Sequence, residues 1–121
     1  MKVMNLYLKR TDNQKNPPLR IEAADSFFQR FLGLMGHKPL PAGNGLLLAP
    51  CSSIHMCFMW FAIDAIYIDQ DYRVLKVVKG LRPWIGISIC WKAWAVIEVR
   101  AGEAERYGIR PGQLFDKPDR T

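Results

Sequence analysis

The sequence predicts an α+β domain, mainly antiparallel β, with a barrel-like curled sheet and two or three short helices. Three features carry that expectation. Runs rich in β-branched and aromatic residues recur at roughly ten-residue spacing between turn signals. A helical apolar period is convincing once only, over residues 26–36. The length of 121 residues is that of one ordinary domain, with room for a core that needs no disulfide or metal staple. A single domain over residues 1–121 follows, with a polar tail at 116–121 expected to fray.

Residues 3–10 form a first strand through Val3, Leu6, Tyr7 and Leu8, and a polar loop then runs to the proline pair Pro17-Pro18. Residues 19–23 make a short second strand. The helix over 26–36 opens on Ser26 and Gln29, at the spacing of a capping box, where each side chain satisfies an orphan backbone N–H. Phe27, Phe28, Phe31, Leu32 and Met35 give it one apolar face, with Arg30 on its border, and Gly36 ends it. Turn chemistry at 39–45 leads into a buried strand over 46–49, closed by Pro50.

Residues 65–68 and 74–78 are β-rich runs joined by a hairpin turn at 69–73. Residues 80–91 hold Gly80, Pro83 and Gly86 and read as a long loop, and their tryptophans suggest that the loop packs down. Residues 95–100 are the last strand, with Ala95, Ile97 and Val99 on one face and Glu98 and Arg100 on the other. A short helix over 103–107 stops at Gly108, and a turn at Pro111-Gly112 leads to Leu114 and Phe115.

Composition excludes several classes. Half the residues are apolar and 23% are charged, which is globular usage and not that of a disordered or fibrous chain. The longest charge-free run, residues 39–63, is broken by Pro41, Gly43, Gly45 and Pro50, so it cannot be a spanning helix. Lys9 and Arg10 follow the N-terminus too soon for the apolar core of a signal peptide, so the expected location is the cytoplasm, or outside it if a leader precedes this chain. The net charge of +6 is scattered, with no basic run beyond Lys9-Arg10, and reads as a basic soluble surface. Three cysteines are too few for a disulfide framework, so free thiols are expected.

The segment densest in reactive groups is Cys51-Ser52-Ser53-Ile54-His55-Met56-Cys57-Phe58-Met59-Trp60. In an extended chain, Cys51, Ser53, His55, Cys57 and Met59 share one face, and Ile54, Met56, Phe58 and Trp60 share the core face. Four strand residues span about 13 Å, so Cys51 and His55 would need a bend at Ser52-Ser53 to reach the contact of about 3 Å that a thiol-imidazole pair requires. A metal set of Cys51, His55 and Cys57, with Met59 in reserve, would suit Cu(I), or zinc with a fourth ligand. The plainer alternative is small buried thiols and a hydrogen-bonded histidine filling a sheet, with no cofactor. His37 is expected to be exposed in its loop, and Cys90 to be an inert buried thiol.

Asp64 follows an apolar run, where a buried carboxylate needs a partner. A structural ion pair with Arg30, for which Glu98 is a rival acceptor, is preferred to a catalytic role for Asp64. Trp84, Trp91 and Trp94 near Arg82, Lys92 and Arg100 could stack on single-stranded nucleic acid. Tryptophans covering one end of a sheet account for the same residues more simply, and nucleic acid is not the favoured partner. A small ligand or a peptide strand held by Cys51, His55, Met59 and Trp84 is the preferred reading, which makes the chain a non-enzymatic accessory or binding domain. The alternative is a thiol-histidine enzyme, with Cys51, His55 and Asp64 as its candidate catalytic residues, or a soft-metal protein.

Arg30-Phe31-Leu32-Gly33-Leu34-Met35-Gly36, Gly45-Leu46-Leu47-Leu48, Cys51-Ser52-Ser53-Ile54-His55, Met59, Phe61, Ile63-Asp64, Ile68-Asp69, Val96-Ile97-Glu98-Val99 and Ala101-Gly102 together resemble the bacterial and archaeal family named domain of unknown function 192. The likeness runs over about residues 26–114, in the family's order and spacing. It implies a small, mainly β domain with short helices and no established activity. The Cys-x-x-x-His pattern is similar to a branch associated with pilus or secretion gene clusters, which implies a partner in such machinery. This chain departs from that branch at Met56, where threonine is usual, and at Cys57, where an aromatic is. It also has Trp60 for a basic residue and Ala62 for proline. A function needing a charge at position 60 is therefore not implied, while the Cys51 and His55 pair is kept.

Overall fold

The computed structural model describes residues 2–9, 18–23, 40–56 and 60–116. The expected helix over 26–36, Arg30, His37, Cys57, Met59 and the tail beyond 116 lie outside them. Eight strands are described: β1 (Lys2–Leu6), β2 (Leu19–Ala23), β3 (Asn44–Leu48), β4 (Ser53–His55), β5 (Ile63–Ile68), β6 (Val74–Leu81), β7 (Ile87–Ile89) and β8 (Ala95–Arg100). Among the described residues the helix is a single turn, α1 (Glu103–Arg106). No helix among them is long and apolar enough to cross a membrane.

Six strands form one sheet in the order β1-β2-β3-β8-β5-β6, and β4 pairs with β7 in a separate two-stranded ribbon. Every pairing is antiparallel except β2 with β3, so the sheet is mixed. Among the described residues the sheet is not closed into a barrel, contrary to the expectation. Closure would require β1 to pair with β6. Instead, the C-terminal segment makes isolated bridges, Leu8 with Phe115 and Arg73 with Leu114, beside those two edges.

Both faces of the sheet are covered, which explains why all six residues of β5 are buried. One face carries Leu6, Ile21, Leu47, Ile66, Ile97 and Phe115. The other carries Leu46, Ile54, Met56, Tyr67, Leu81 and Val96 beneath the β4–β7 ribbon. Sequence alternation alone set Glu98 on a polar side, yet it is 5% exposed, because that second face is not left to solvent.

Asp64 is also buried, at 1% exposure, and its carboxylate accepts three backbone N–H groups. A register shift between β5 and β6 leaves Gly80, at φ +64°, with its N–H turned to Asp64 Oδ1 at 2.9 Å. Oδ2 takes Gly102 N and Ala104 N, both at 3.0 Å. The N-cap of α1, Gly102, has no side chain to satisfy these donors, so a strand residue remote in sequence does it. In this arrangement Asp64 ties a sheet bulge to the start of α1.

Candidate functional site

The chain leaves β3 through a cis Ala49–Pro50 bond and enters the ribbon at Cys51. Cys51 N donates to Trp94 O at 2.9 Å, and Cys90 N to Ser52 O at 2.8 Å, which fixes the start of the ribbon against the approach to β8. Within it Ser53 faces Ile89, Ile54 faces Ser88 and His55 faces Ile87. Ile54 and Ser88 are buried, and the Ser88 hydroxyl lies 2.6 Å from the Tyr67 hydroxyl of β5. The far end is held by Met56 N to Gly86 O at 2.8 Å and Trp84 N to Met56 O at 2.9 Å. A Cβ on Gly86 would lie 2.7 Å from Arg82 O and 2.8 Å from Met56 Cγ, so only glycine fits where this turn packs down.

The ribbon's outward pattern is inverted. Ile85, Ile87, Ile89 and Trp91 are 72%, 77%, 40% and 82% exposed, while the alternating positions Gly86, Ser88 and Cys90 are half-buried or buried. A strand normally turns its large apolar side chains to the core. Here the small and polar ones face inward. At the end of the ribbon, the rings of Trp60 and Trp84 meet edge to face at 5.2 Å, and both are exposed. The 80–91 segment is thus a strand flanked by turns, which packs down as expected but through Gly86 and Ser88, with Trp84 and Trp91 left exposed. Trp94 packs against the core, 5.8 Å from the Tyr72 ring.

Cys51 is half-buried beside an open depression of about 400 Å³ lined by Pro50, Cys51, Ser52, Ser53 and Ala93. Its thiol donates to Ser53 O at 3.1 Å. Burial pushes the thiol above its usual range, and the charge of Glu98 adds to this, outweighing the opposing effect of the Ser53 backbone. Burial likewise raises the Tyr67 hydroxyl, with Cys51, Cys90 and Glu98 contributing in the same direction against the Ser88 hydrogen bond. Glu98 itself is raised to about 7 by desolvation. Among the described residues no hydrogen bond or ion pair reaches its carboxyl.

These placements sort the expected site residues. Cys51 and Cys90 pack against the cluster of Ile54, Tyr67 and Val96 between the ribbon and the sheet, within electrostatic reach of Glu98. His55 sits at the other end of β4, across from Ile87. Trp84 lies beyond it on the turn, and Asp64 belongs to the α1 junction rather than to this region. Sequence reasoning missed the role of Ser88 and the burial of Glu98. It also missed the Ile85, Ile87, Ile89, Trp91 alternation, although that period of two is visible in the sequence.

The DUF192 family model, described as Uncharacterized ACR, COG1430, matches residues 8–116. A UPF0127 protein of Pyrococcus horikoshii is 42% identical over 67 residues, covering 53% of this chain and 57% of that protein. This chain therefore matches less than two thirds of that relative's length. A UPF0127 protein of Pyrococcus furiosus is 31% identical over 111 residues, 84% of this chain and 91% of that protein. A solved protein of unknown function from Novosphingobium aromaticivorans superposes with a TM-score of 0.78 at 22% identity, over 95% of this chain and 85% of that one. One from Sinorhizobium meliloti, provisionally described as a transcription regulator, gives 0.81 at 21% identity, over 95% and 93%. At these identities the likeness to the solved structures is one of fold.

Proposed function

The chain belongs to the DUF192 family, whose members matched above carry no named activity, and from that premise we propose that it is a non-enzymatic interaction domain. Its contact surface is the outer face of the β4–β7 ribbon, carried by Ile85, Ile87, Ile89 and Trp91 with Trp84 beside them; a ligand held by Cys51, His55 and Met59 is the finer expectation from the sequence. The observation that carries this reading is the row of large apolar side chains at alternate positions 85, 87, 89 and 91, all exposed. Burying such surface is worth roughly 25 cal/mol per Å². A row of this kind, on a strand whose small residues face inward, is a surface that something covers.

The thiol chemistry speaks against the enzymatic alternative. A nucleophilic cysteine needs a lowered pKa and a base to take its proton. Cys51 is raised, and its proton goes to a carbonyl. The test is a photo-crosslinking amino acid at position 87, introduced into the full-length protein in its native host. A discrete adduct at 87 but not at Arg110, an exposed position elsewhere, supports the reading; no adduct at either position overturns it.

A further inference from the structure

We propose that the outer face of the ribbon, Ile85, Ile87, Ile89 and Trp91 flanked by Arg82, seats on an anionic lipid surface; this rests on the interaction-domain reading above and names its occupant. Shape is the first ground. The side chains project from the ribbon at 72%, 77%, 40% and 82% exposure and do not line a concavity. Behind them the ribbon is fixed by the Tyr67–Ser88 contact at 2.6 Å and by the tight seating of Gly86 on Met56. Rigid projecting isoleucine and tryptophan side chains suit the boundary between headgroups and acyl chains, which needs no preformed groove and favours the amphipathic indole.

Charge is the second ground. Residues 50–56, 60–62 and 80–94, which build the ribbon and its flanks, contain no aspartate or glutamate, and their Lys and Arg cations are Arg82 and Lys92, both exposed. The chain as a whole carries +6. Asp69 and Asp71 of the β5–β6 turn share a depression with Lys92, so the unopposed basic side is that of Arg82.

The strand edge is the third. An added peptide strand would need the free edge of β7, but Lys76 Nζ donates to Ile89 O at 2.9 Å and occupies it. This lysine, reaching over from β6, competes with an added strand for that carbonyl. The face rather than the edge is therefore the available surface, and its complement is apolar in the middle and negative at the rim.

The test is co-sedimentation of the full chain with vesicles of phosphatidylcholine alone and of equal parts phosphatidylcholine and phosphatidylglycerol. The protein is expected to pellet with the anionic vesicles, with tryptophan emission shifted to the blue, and to be released by high salt. Ile87→Glu should abolish pelleting with circular dichroism unchanged, and Arg82→Ala should weaken it about fivefold. Equal pelleting with neutral vesicles, pelleting that survives Ile87→Glu, or no pelleting with either vesicle overturns the proposal. If pelleting fails but the crosslinker at position 87 captures a protein or a second copy, the lipid inference falls and the interaction-domain reading stands. If the crosslinker also captures nothing, both fall.

Discussion

Glu98→Gln should remove a pH dependence of stability that the native protein carries in the neutral range. Glu98 is 5% exposed, and among the described residues its carboxyl has no compensating donor. Its pKa is displaced from 4.5 to about 7 by desolvation. A group whose folded pKa is raised stabilises the fold fully below its unfolded pKa, where both states are protonated, and that stability is lost as pH rises through the folded pKa. Between pH 4.5 and 7 the native state thus holds a proton that the unfolded chain has released, and stability falls with pH. At 1.36 kcal/mol per pH unit, the loss complete by about pH 8 is roughly 3 kcal/mol. The assay is urea unfolding at a series of pH values for both proteins. The wild-type curve should slope downward through this window, and the Glu98→Gln curve should lack that component. Parallel curves would refute the burial argument, because the carboxyl would then be solvated or paired.

Two further predictions concern Asp64 at the α1 junction and Cys51 beside the ribbon. Asp64→Ala leaves three buried or partly buried backbone N–H groups without their acceptor, and should cost at least about 3 kcal/mol by thermal or urea unfolding. Asp64→Asn should cost less, since one carbonyl oxygen remains, and a loss below about 1 kcal/mol for alanine would show that water replaces the carboxylate readily. Cys51 should alkylate with iodoacetamide more slowly in the folded protein than in the unfolded chain, its rate still climbing with pH above the usual thiol value of 9.0, where that of an unperturbed thiol levels off. Fast alkylation of Cys51 below about pH 8 would instead indicate an activated thiolate and reopen the enzymatic alternative.

Local patterns made much of this fold legible. The strands at 19–23 and 95–100 have the bounds that their composition suggested, and the β5–β6 hairpin was marked by its polar turn. The α1 turn stood out between Gly102 and Gly108. Ile54 and Met56 are buried as the alternation of their segment required, but Trp60, on the same expected face, is 55% exposed. The parallel pairing of β2 with β3 was not legible, because strand partners are chosen by contacts far apart in sequence. Nor was β7. Proline and glycine beside it read as loop chemistry, and its large side chains face outward, so the usual inference from apolar period to core face points the wrong way. Glu98 was misplaced for a related reason. Alternation tells which residues share a face, not whether that face is covered.

The candidate site was legible as a segment but not as a geometry. Cys51 and His55 stand four positions apart, and the register sends them to opposite ends of the ribbon, Cys51 before β4 and bonded to Trp94, His55 at the end of β4 across from Ile87. What lies between them is a rigid support, made by Ile54, Ser88 and Tyr67. The feature with the clearest physical consequence is on the reverse of that support, in side chains that a composition count records only as apolar.

Crosslinking from position 87 tests that consequence most directly. With the photoreactive residue at Ile87 and a control at Arg110 in the same full-length chain, the outer face of the ribbon should give a discrete adduct in cells and the control position none. A protein that crosslinks at neither site would contradict the account.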